Sequence, residues 1–253
     1  MQFTVLIPAR MASQRLPGKP LAELLGKPMI LHVCEKARES GAERVLVATD
    51  DQRIHAVCQA AGFRAELTSS GHASGTDRIA EVVIRLGMEE DEIVVNLQCD
   101  EPMMPALDIQ QVAQLLDVRE EAHLATLCTP IHELDDYLNP NVVKLVSDQG
   151  GNALYFSRAP IPWNREGANA GFVSQQRWQG ALRHIGMYAY RVGALRQLAA
   201  APACETEQLE KLEQLRALWL GMKIAVDVAR EAPGPGVDTP EDLRRVAKLL
   251  ATG

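Results

Sequence analysis

The chain has 253 residues, 47% of them hydrophobic, and a net charge of −7 at pH 7. It is long enough for one large core, as a single domain or a domain with a lobe. Its acidic balance argues against general nucleic-acid or anionic-membrane binding, which needs a basic face. No apolar run of ~18 residues is present to span a bilayer, and no signal-peptide layout opens the chain, so a cytoplasmic protein is expected.

Phe3 to Ile7 is an apolar run that predicts a buried first strand. The loop after it carries Arg10, Arg15 and Lys19 and turns at Pro17-Gly18. No acid precedes Glu23, so the first 22 residues hold +3 and the remainder −10. A cationic loop at the end of a strand in an acidic protein suits an anionic ligand, a triphosphate first among them; the alternative is a solvated basic loop. A helix is predicted from Lys27 to Ala37, with Pro28 in its first turn and Gly41 closing it. Arg44 to Thr49 reads as a second buried strand, and Asp50-Asp51 cap a helix from Gln52 to Ala61. A short strand follows near Phe63 to Leu67. A helix from Asp77 to Leu86, a strand from Ile93 to Leu97 and a helix after Pro105 complete a βαβα order, which implies a doubly wound parallel sheet.

The second half is less regular. Val142 to Val146 and Ala153 to Phe156 read as strands near an antiparallel edge, and Asn164 to Gln179 as a mobile polar loop. His184 to Tyr190 is another strand. Glu205 to Leu220 reads as one helix, with Leu209, Leu212, Leu215 and Trp219 at helical spacing. Lys223 to Asp227 is a late strand, Pro233-Gly234-Pro235-Gly236 breaks the chain, and Thr239 to Leu250 is a capped terminal helix. The five cysteines are odd in number and lack metal-site spacing, so reduced thiols are expected.

Ligands of open parallel sheets sit beyond the carboxyl ends of the strands, and four features fall there. The cationic loop is neither a dinucleotide fingerprint nor a Walker loop, but its amides and cations suit phosphate. Ser74-Gly75-Thr76-Asp77-Arg78 is a good helix start; beside a nucleotide its amides and hydroxyls would read a base edge. In Gln98-Cys99-Asp100-Glu101-Pro102 a carboxylate follows a strong strand. That is turn chemistry, and it is also where Mg²⁺ is held opposite phosphates. Asp238 precedes Thr239-Pro240 and taken alone is a helix cap; with Asp100 it makes the minimum for a metal clamp.

These motifs, in this order, resemble the 3-deoxy-manno-octulosonate cytidylyltransferase (CMP-KDO synthetase) family over nearly the whole chain. They are IPAR-x-x-S-x-R-L-P-G-K-P (Ile7 to Pro20), VATDD (Val47 to Asp51), SGTDR (Ser74 to Arg78), NPN-x-VK (Asn139 to Lys144), ALYFSR (Ala153 to Arg158), RH-x-G-x-Y (Arg183 to Tyr188), LEQLR (Leu212 to Arg216) and GVDTPEDL (Gly236 to Leu243). The resemblance implies a Rossmann-like α/β nucleotidyltransferase fold, mainly parallel and flanked by helices. It implies one domain over 1–253 with a sugar-binding and dimerisation lobe at about 130–200, usually a homodimer. It implies transfer of CMP from CTP to the acid sugar KDO, with Mg²⁺, for lipopolysaccharide assembly.

Carried over by residue, Arg10, Arg15 and Lys19 would hold the triphosphate. Ala9, Ser74, Gly75, Thr76, Arg78 and Gln98 would line the nucleotide pocket. Asp100 and Asp238 would bind the metal, and Arg10, Lys19 and the two aspartates would carry catalysis. Arg158, His184, Tyr188, Glu213 and Gln214 would face the sugar. On their own terms, His184 reads equally as a packing residue, Arg158 as an exposed strand end, and Glu213 as part of a solvated stripe with Glu207 and Glu210. One departure stands out: the family has Q-G-D-E-P where this chain has Cys99. Its expected consequence is tolerance, since every charged group remains. The competing readings are transfer to another acid sugar, such as a sialic acid or amino-KDO, and a nucleotide-binding regulator in which Cys99 has ended catalysis.

Overall fold

The computed structural model describes residues 1–13, 15–167 and 175–252. In chain order, β1 (Thr4–Ala9) is buried along its whole length, and the two-stranded hairpin β2 (Glu23–Leu24) and β3 (Lys27–Pro28) leads into α1 (Met29–Glu39). Pro28 therefore lies just outside α1 rather than in its first turn, because Lys27-Pro28 pairs with Glu23-Leu24. Then come β4 (Arg44–Thr49), α2 (Gln52–Ala60), β5 (Arg64–Leu67), α3 (Gly75–Arg85), β6 (Ile93–Asn96) and α4 (Ala106–Val118). The second half holds β7 (Leu124–Pro130), α5 (Leu134–Leu138), β8 (Lys144–Ser147), β9 (Ala153–Ser157), β10 (Leu182–Arg191) and α6 (Val192–Ala200). It ends with α7 (Glu205–Glu210), α8 (Gln214–Trp219), β11 (Ile224–Val228) and α9 (Pro240–Thr252).

The main sheet runs β11-β7-β10-β6-β1-β4-β5, with the β8–β9 hairpin joined to β10 off this path. Its pairs are parallel except the β8–β9 hairpin and those made by β10, which lies antiparallel to β6, β7 and β8. This is the α/β class expected from the βαβα order. One apolar cluster packs α1, α2 and α4 against one face of the sheet; a second packs α3, α6 and α8 against the other. Among the described residues no helix is long and apolar enough to cross a membrane.

Three expectations are corrected. The antiparallel component is interior, at β10, and not only near an edge. The strand β7 and the helix α6 went unread, because neither Leu124–Pro130 nor Val192–Ala200 has a strong start or stop signal in the sequence. The single helix over Glu205–Leu220 is two helices, broken at Lys211, which adopts a left-handed φ of 54°. Leu212 and Leu215 are buried, but Leu209 (75% exposed) and Trp219 (70%) are not, so the apolar spacing does not make one core face. A left-handed non-glycine residue costs roughly 1–2 kcal/mol; the break turns the chain so that Glu213 stands at the start of α8, facing α3. The reading of Asn164–Gln179 falls partly on 168–174, outside the described residues; on its flanks, Gln176 N–H donates to the Gly167 carbonyl.

Candidate active site

The carboxyl end of β1 delivers Pro8, Ala9 and Arg10 to the rim of a cavity of about 810 Å³, a size suited to a nucleotide. The loop beyond is closed by Gly18, whose φ of +70° few other residues adopt. Lys19 follows at once and is turned back toward the carboxyl end of β6. Its Nζ lies 2.6 Å from Asp100 Oδ2 and 3.1 Å from Asp238 Oδ1, and Arg15 reaches the same Asp238 oxygen at 3.0 Å. Burial lowers an ammonium pKa, but the two carboxylates outweigh it and hold Lys19 above its ordinary value.

α3 enters from the opposite rim. Ser74 caps it, accepting from Asp77 N–H, while the Asp77 carboxylate accepts from Ser74 N–H. A Cβ at Gly75 would lie 3.0 Å from Pro8 Cγ, so glycine is what lets the helix start approach β1 this closely. Ser74 Oγ and Thr76 Oγ1 both donate to Glu213, at 2.9 and 2.5 Å. Burial raises the Glu213 pKa, and the two hydroxyls oppose that rise. Arg78 lines the cavity but is buried, with its guanidinium donating to Asp50, Thr68 Oγ1 and the Ser69 carbonyl. Gln98 commits its amide N–H to Asn96 Oδ1 at 3.1 Å.

Of the residues named from sequence, Ala9, Arg10, Arg15, Lys19, Ser74, Gly75, Arg78, Gln98, Asp100 and Asp238 line this one cavity. Thr76 and Glu213 join it through their mutual hydrogen bond, and Gln214 is buried beside Glu213 at the start of α8. His184 and Tyr188 lie further along β10, their ring centroids 5.2 Å apart, and Tyr188 is buried with its hydroxyl unpartnered among the described residues. Arg158 does not line this cavity: its guanidinium donates to the Glu210 and Pro140 carbonyls, tying α7 to the chain before β8. Buried Lys144 does the same with the carbonyls of Asn139, Val142 and Arg158.

Sequence reasoning missed His72, which lines the cavity and hydrogen-bonds Glu81 at 2.5 Å; its place two residues before the Ser74 motif was the available signal. It also passed over Glu101, which lines a second cavity of about 390 Å³ with His132, Arg183 and His184. Burial, then Asp100 beside it, pushes Glu101 up to about 8. Among the described residues no cluster of three or more His, Cys, Asp or Glu gathers for a metal. Two carboxylates converging on one ammonium nevertheless fit Mg²⁺, which takes one or two protein carboxylates and completes its shell with phosphate and water.

The cytidylyltransferase family profile matches residues 4–224. The 3-deoxy-manno-octulosonate cytidylyltransferase of Alkalilimnicola ehrlichii is 56% identical over 98% of this chain and 96% of its own. That of Thioalkalivibrio sulfidiphilus is 55% identical over 99% of both. This chain belongs to the 3-deoxy-manno-octulosonate cytidylyltransferase family. A solved CMP:2-keto-3-deoxy-manno-octonic acid synthetase complexed with CTP superposes with a TM-score of 0.89 at 42% identity, over 100% of this chain and 99% of that one. A 4-diphosphocytidyl-2C-methyl-D-erythritol synthase, 15% identical with a TM-score of 0.65 over 99% of this chain and 100% of its own, shares the fold.

Cys99, the departure from the family motif, lines the cavity without strain. Among the described residues only Leu25 and Lys211 are non-glycine with positive φ, so position 99 does not need glycine's freedom. Burial pushes its thiol up to about 12, so it is neutral and unreactive at pH 7. Cys99→Gly is expected to change the steady-state rate by less than about threefold, under about 1 kcal/mol; a gain of orders of magnitude would mark Cys99 as a lesion.

His184 packs its ring against Phe156 and Tyr188 and faces Thr126 Oγ1 at 3.1 Å. Burial lowers its pKa to about 3. The folded state therefore binds the proton less readily than the unfolded chain. The stability this contributes is complete above about pH 6.5 and is lost as pH falls toward 3, by at most about 1.4 kcal/mol per pH unit. Urea midpoints measured across this range should flatten in His184→Gln; an unchanged pH dependence would exclude the burial of a neutral ring.

Proposed function

We propose that this protein transfers CMP from CTP to the 2-hydroxyl of 3-deoxy-D-manno-octulosonate, releasing pyrophosphate and giving the activated sugar for lipopolysaccharide assembly. The observation that carries this reading is the meeting of the cationic loop with Asp100 and Asp238 at one nucleotide-sized cavity, in a chain 42% identical to a synthetase solved with CTP. CTP brings about four negative charges and the acid sugar another, and their approach in a low-dielectric cleft needs compensation. Arg10, Arg15 and Lys19 supply it along the triphosphate, and Lys19 stabilises charge as it moves toward the leaving pyrophosphate. The capped start of α3, with Gly75 against Pro8, offers backbone amides close to the base and ribose. Glu213 accepts the Ser74 and Thr76 hydroxyl protons, which holds both side chains in one orientation and leaves the backbone amides as the donors on that rim. His184, which lines the second cavity with Glu101 and Arg183, would face the acceptor sugar, with buried Tyr188 packed behind it.

Asp100 and Asp238 would hold Mg²⁺, which when bound supplies positive charge to polarise the phosphoryl oxygens and lower the acceptor hydroxyl's pKa. Lys19, now between the two carboxylates, then turns its ammonium to the phosphates. In this reading the enzyme works in the cytoplasm as a homodimer. Leu154 (60% exposed) and Tyr155 (37%) on β9 are among the exposed apolar residues of the 130–200 lobe that support pairing, and sedimentation tests it.

The deciding assay is pyrophosphate release with CTP, Mg²⁺ and a panel of acid sugars. Turnover with KDO well above that with a sialic acid or amino-KDO is the expected result. Preference for another sugar overturns the substrate assignment, and CTP binding with no turnover on any sugar would make the protein a regulator.

A further inference from the structure

Asp238 sits at the end of an irregular strap, residues 229–239, that links β11 to α9. The strap contains Pro233 and Pro235, which donate no backbone hydrogen bond, and Gly234 and Gly236. Nothing in its own backbone pattern holds it in place; its position comes from outside contacts.

Those contacts form a zipper. Ala229 N–H donates to the Cys128 carbonyl at 2.9 Å, and from Arg230 to Val237 every hydrogen-bond partner among the described residues lies between Asp100 and Gln111. Arg230 N–H donates to Gln111 Oε1 (3.0 Å) and Glu231 N–H to Asp108 Oδ1 (3.2 Å). Gly234 N–H meets the Met103 carbonyl (3.5 Å), and Val237 N–H donates to the Asp100 carbonyl (2.8 Å). The strap thus runs antiparallel to the segment that begins with Asp100, and its last rung ties the residue before Asp238 to Asp100 itself.

Two rungs are side chains, both on the buried face of α4: Asp108 is 0% exposed and Gln111 4%. Their neighbours on that face are Ile109, Val112, Ala113 and Leu116. A buried carboxylate and amide are unfavourable there unless their hydrogen bonds matter. Gln111 uses both ends of its amide, since its Nε2 donates to Asp227 Oδ2 and the Val228 carbonyl, each at 2.9 Å. It therefore grips the chain on either side of the exit from β11.

We propose that Asp108 and Gln111 are positioning residues for the reaction: they fix the strap so that Asp238 arrives beside Asp100 and Lys19. This rests on the reading of Asp238 as an active-site carboxylate. Without the two rungs, residues 230–233 have no anchor among the contacts above, and the strap pivots between Cys128 and Met103. A displacement of about 1 Å at the reacting centre is enough to cost about a hundredfold in rate.

The test uses the full chain. In Asp108→Ala/Gln111→Ala, hydrogen exchange without substrates should quicken at least about tenfold over 229–238 while α4 keeps its protection. The turnover number should fall between about tenfold and a hundredfold. Asp108→Asn keeps the acceptor and loses only the charge, so it should retain most activity; a loss equal to that of Asp108→Ala would mean that the charge serves the first turn of α4 instead. Gln111→Met, which keeps the packing and loses the bonds, carries the test if the double variant fails to fold. The decisive readout is a cycle with Asp238→Asn. Adding the Asp108 and Gln111 changes to that variant should cost little further activity, whereas fully additive losses, or unchanged exchange in the strap, would overturn the proposal. A fully active Asp238→Asn enzyme overturns the underlying site reading, and with it the purpose assigned to the rungs, even if the exchange result shows that they hold the strap.

Discussion

Asp238→Asn is expected to lower turnover at least about a hundredfold, roughly 2.7 kcal/mol of transition-state stabilisation, with Asp100→Asn close to it. The two side chains lie 138 residues apart in the sequence (238 minus 100), yet both touch Lys19 Nζ, Asp100 at 2.6 Å and Asp238 at 3.1 Å. Asparagine keeps the shape and one acceptor oxygen but removes the charge, so the fold should persist while the grip on a hard divalent ion weakens. The Mg²⁺ concentration giving half-maximal rate should rise in both variants. Because the two carboxylates serve one centre, the double variant should be little worse than the poorer single one. Near-normal rates in both single variants would refute the assignment.

Lys19→Ala should reduce kcat/KM for CTP by about a hundredfold or more, as loss of a preorganised charge at a phosphoryl site does. Its side chain is only 12% exposed, and its ammonium compensates two acids at once. Removing it leaves Asp100 and Asp238 facing each other, with Arg15, on the exposed side, as the remaining ion-pair partner of Asp238 among the described residues. The free variant should therefore be destabilised at low ionic strength and recover as salt screens the repulsion. Lys19→Arg should not restore activity, because a planar guanidinium on a longer stem cannot bring a compact point charge to the same place on the phosphates. Unchanged pyrophosphate release at limiting CTP would count against this role for Lys19.

The candidate site was legible where chemistry is local. A strand followed by three cations, a Ser-Gly-Thr-Asp-Arg helix start and an acid after a strong strand each carry their meaning within a few residues, and nine of the residues they named line one cavity, with Asp238 from the start of the last helix as the tenth. Arg158 was less legible, because an arginine ending a strand points to a carboxylate or to a neighbouring carbonyl with equal ease. Here the Glu210 and Pro140 carbonyls take it. Glu101 was not read because an acid in a turn has no periodicity to mark it, and His72 because a single histidine in a loop has only its nearness to the Ser74 motif as a signal.

What the amino-acid order settles alone is the alternation of apolar strands with capped helices, and with it the parallel half of the sheet, since hydrophobic period and cap chemistry act over one or two turns. What it leaves to the tertiary structure is every relation between distant segments. The insertion of β10 antiparallel into the sheet's interior depends on pairing with β6 and β7, far away in sequence. The break at Lys211 pays its strain because Glu213 then meets Ser74 and Thr76. The meeting of Asp238 with Asp100 depends on hydrogen bonds along a strap that has no regular pattern of its own. Long-range contacts of this kind follow from packing and pairing free energies summed over the whole chain, and no short window of sequence contains them.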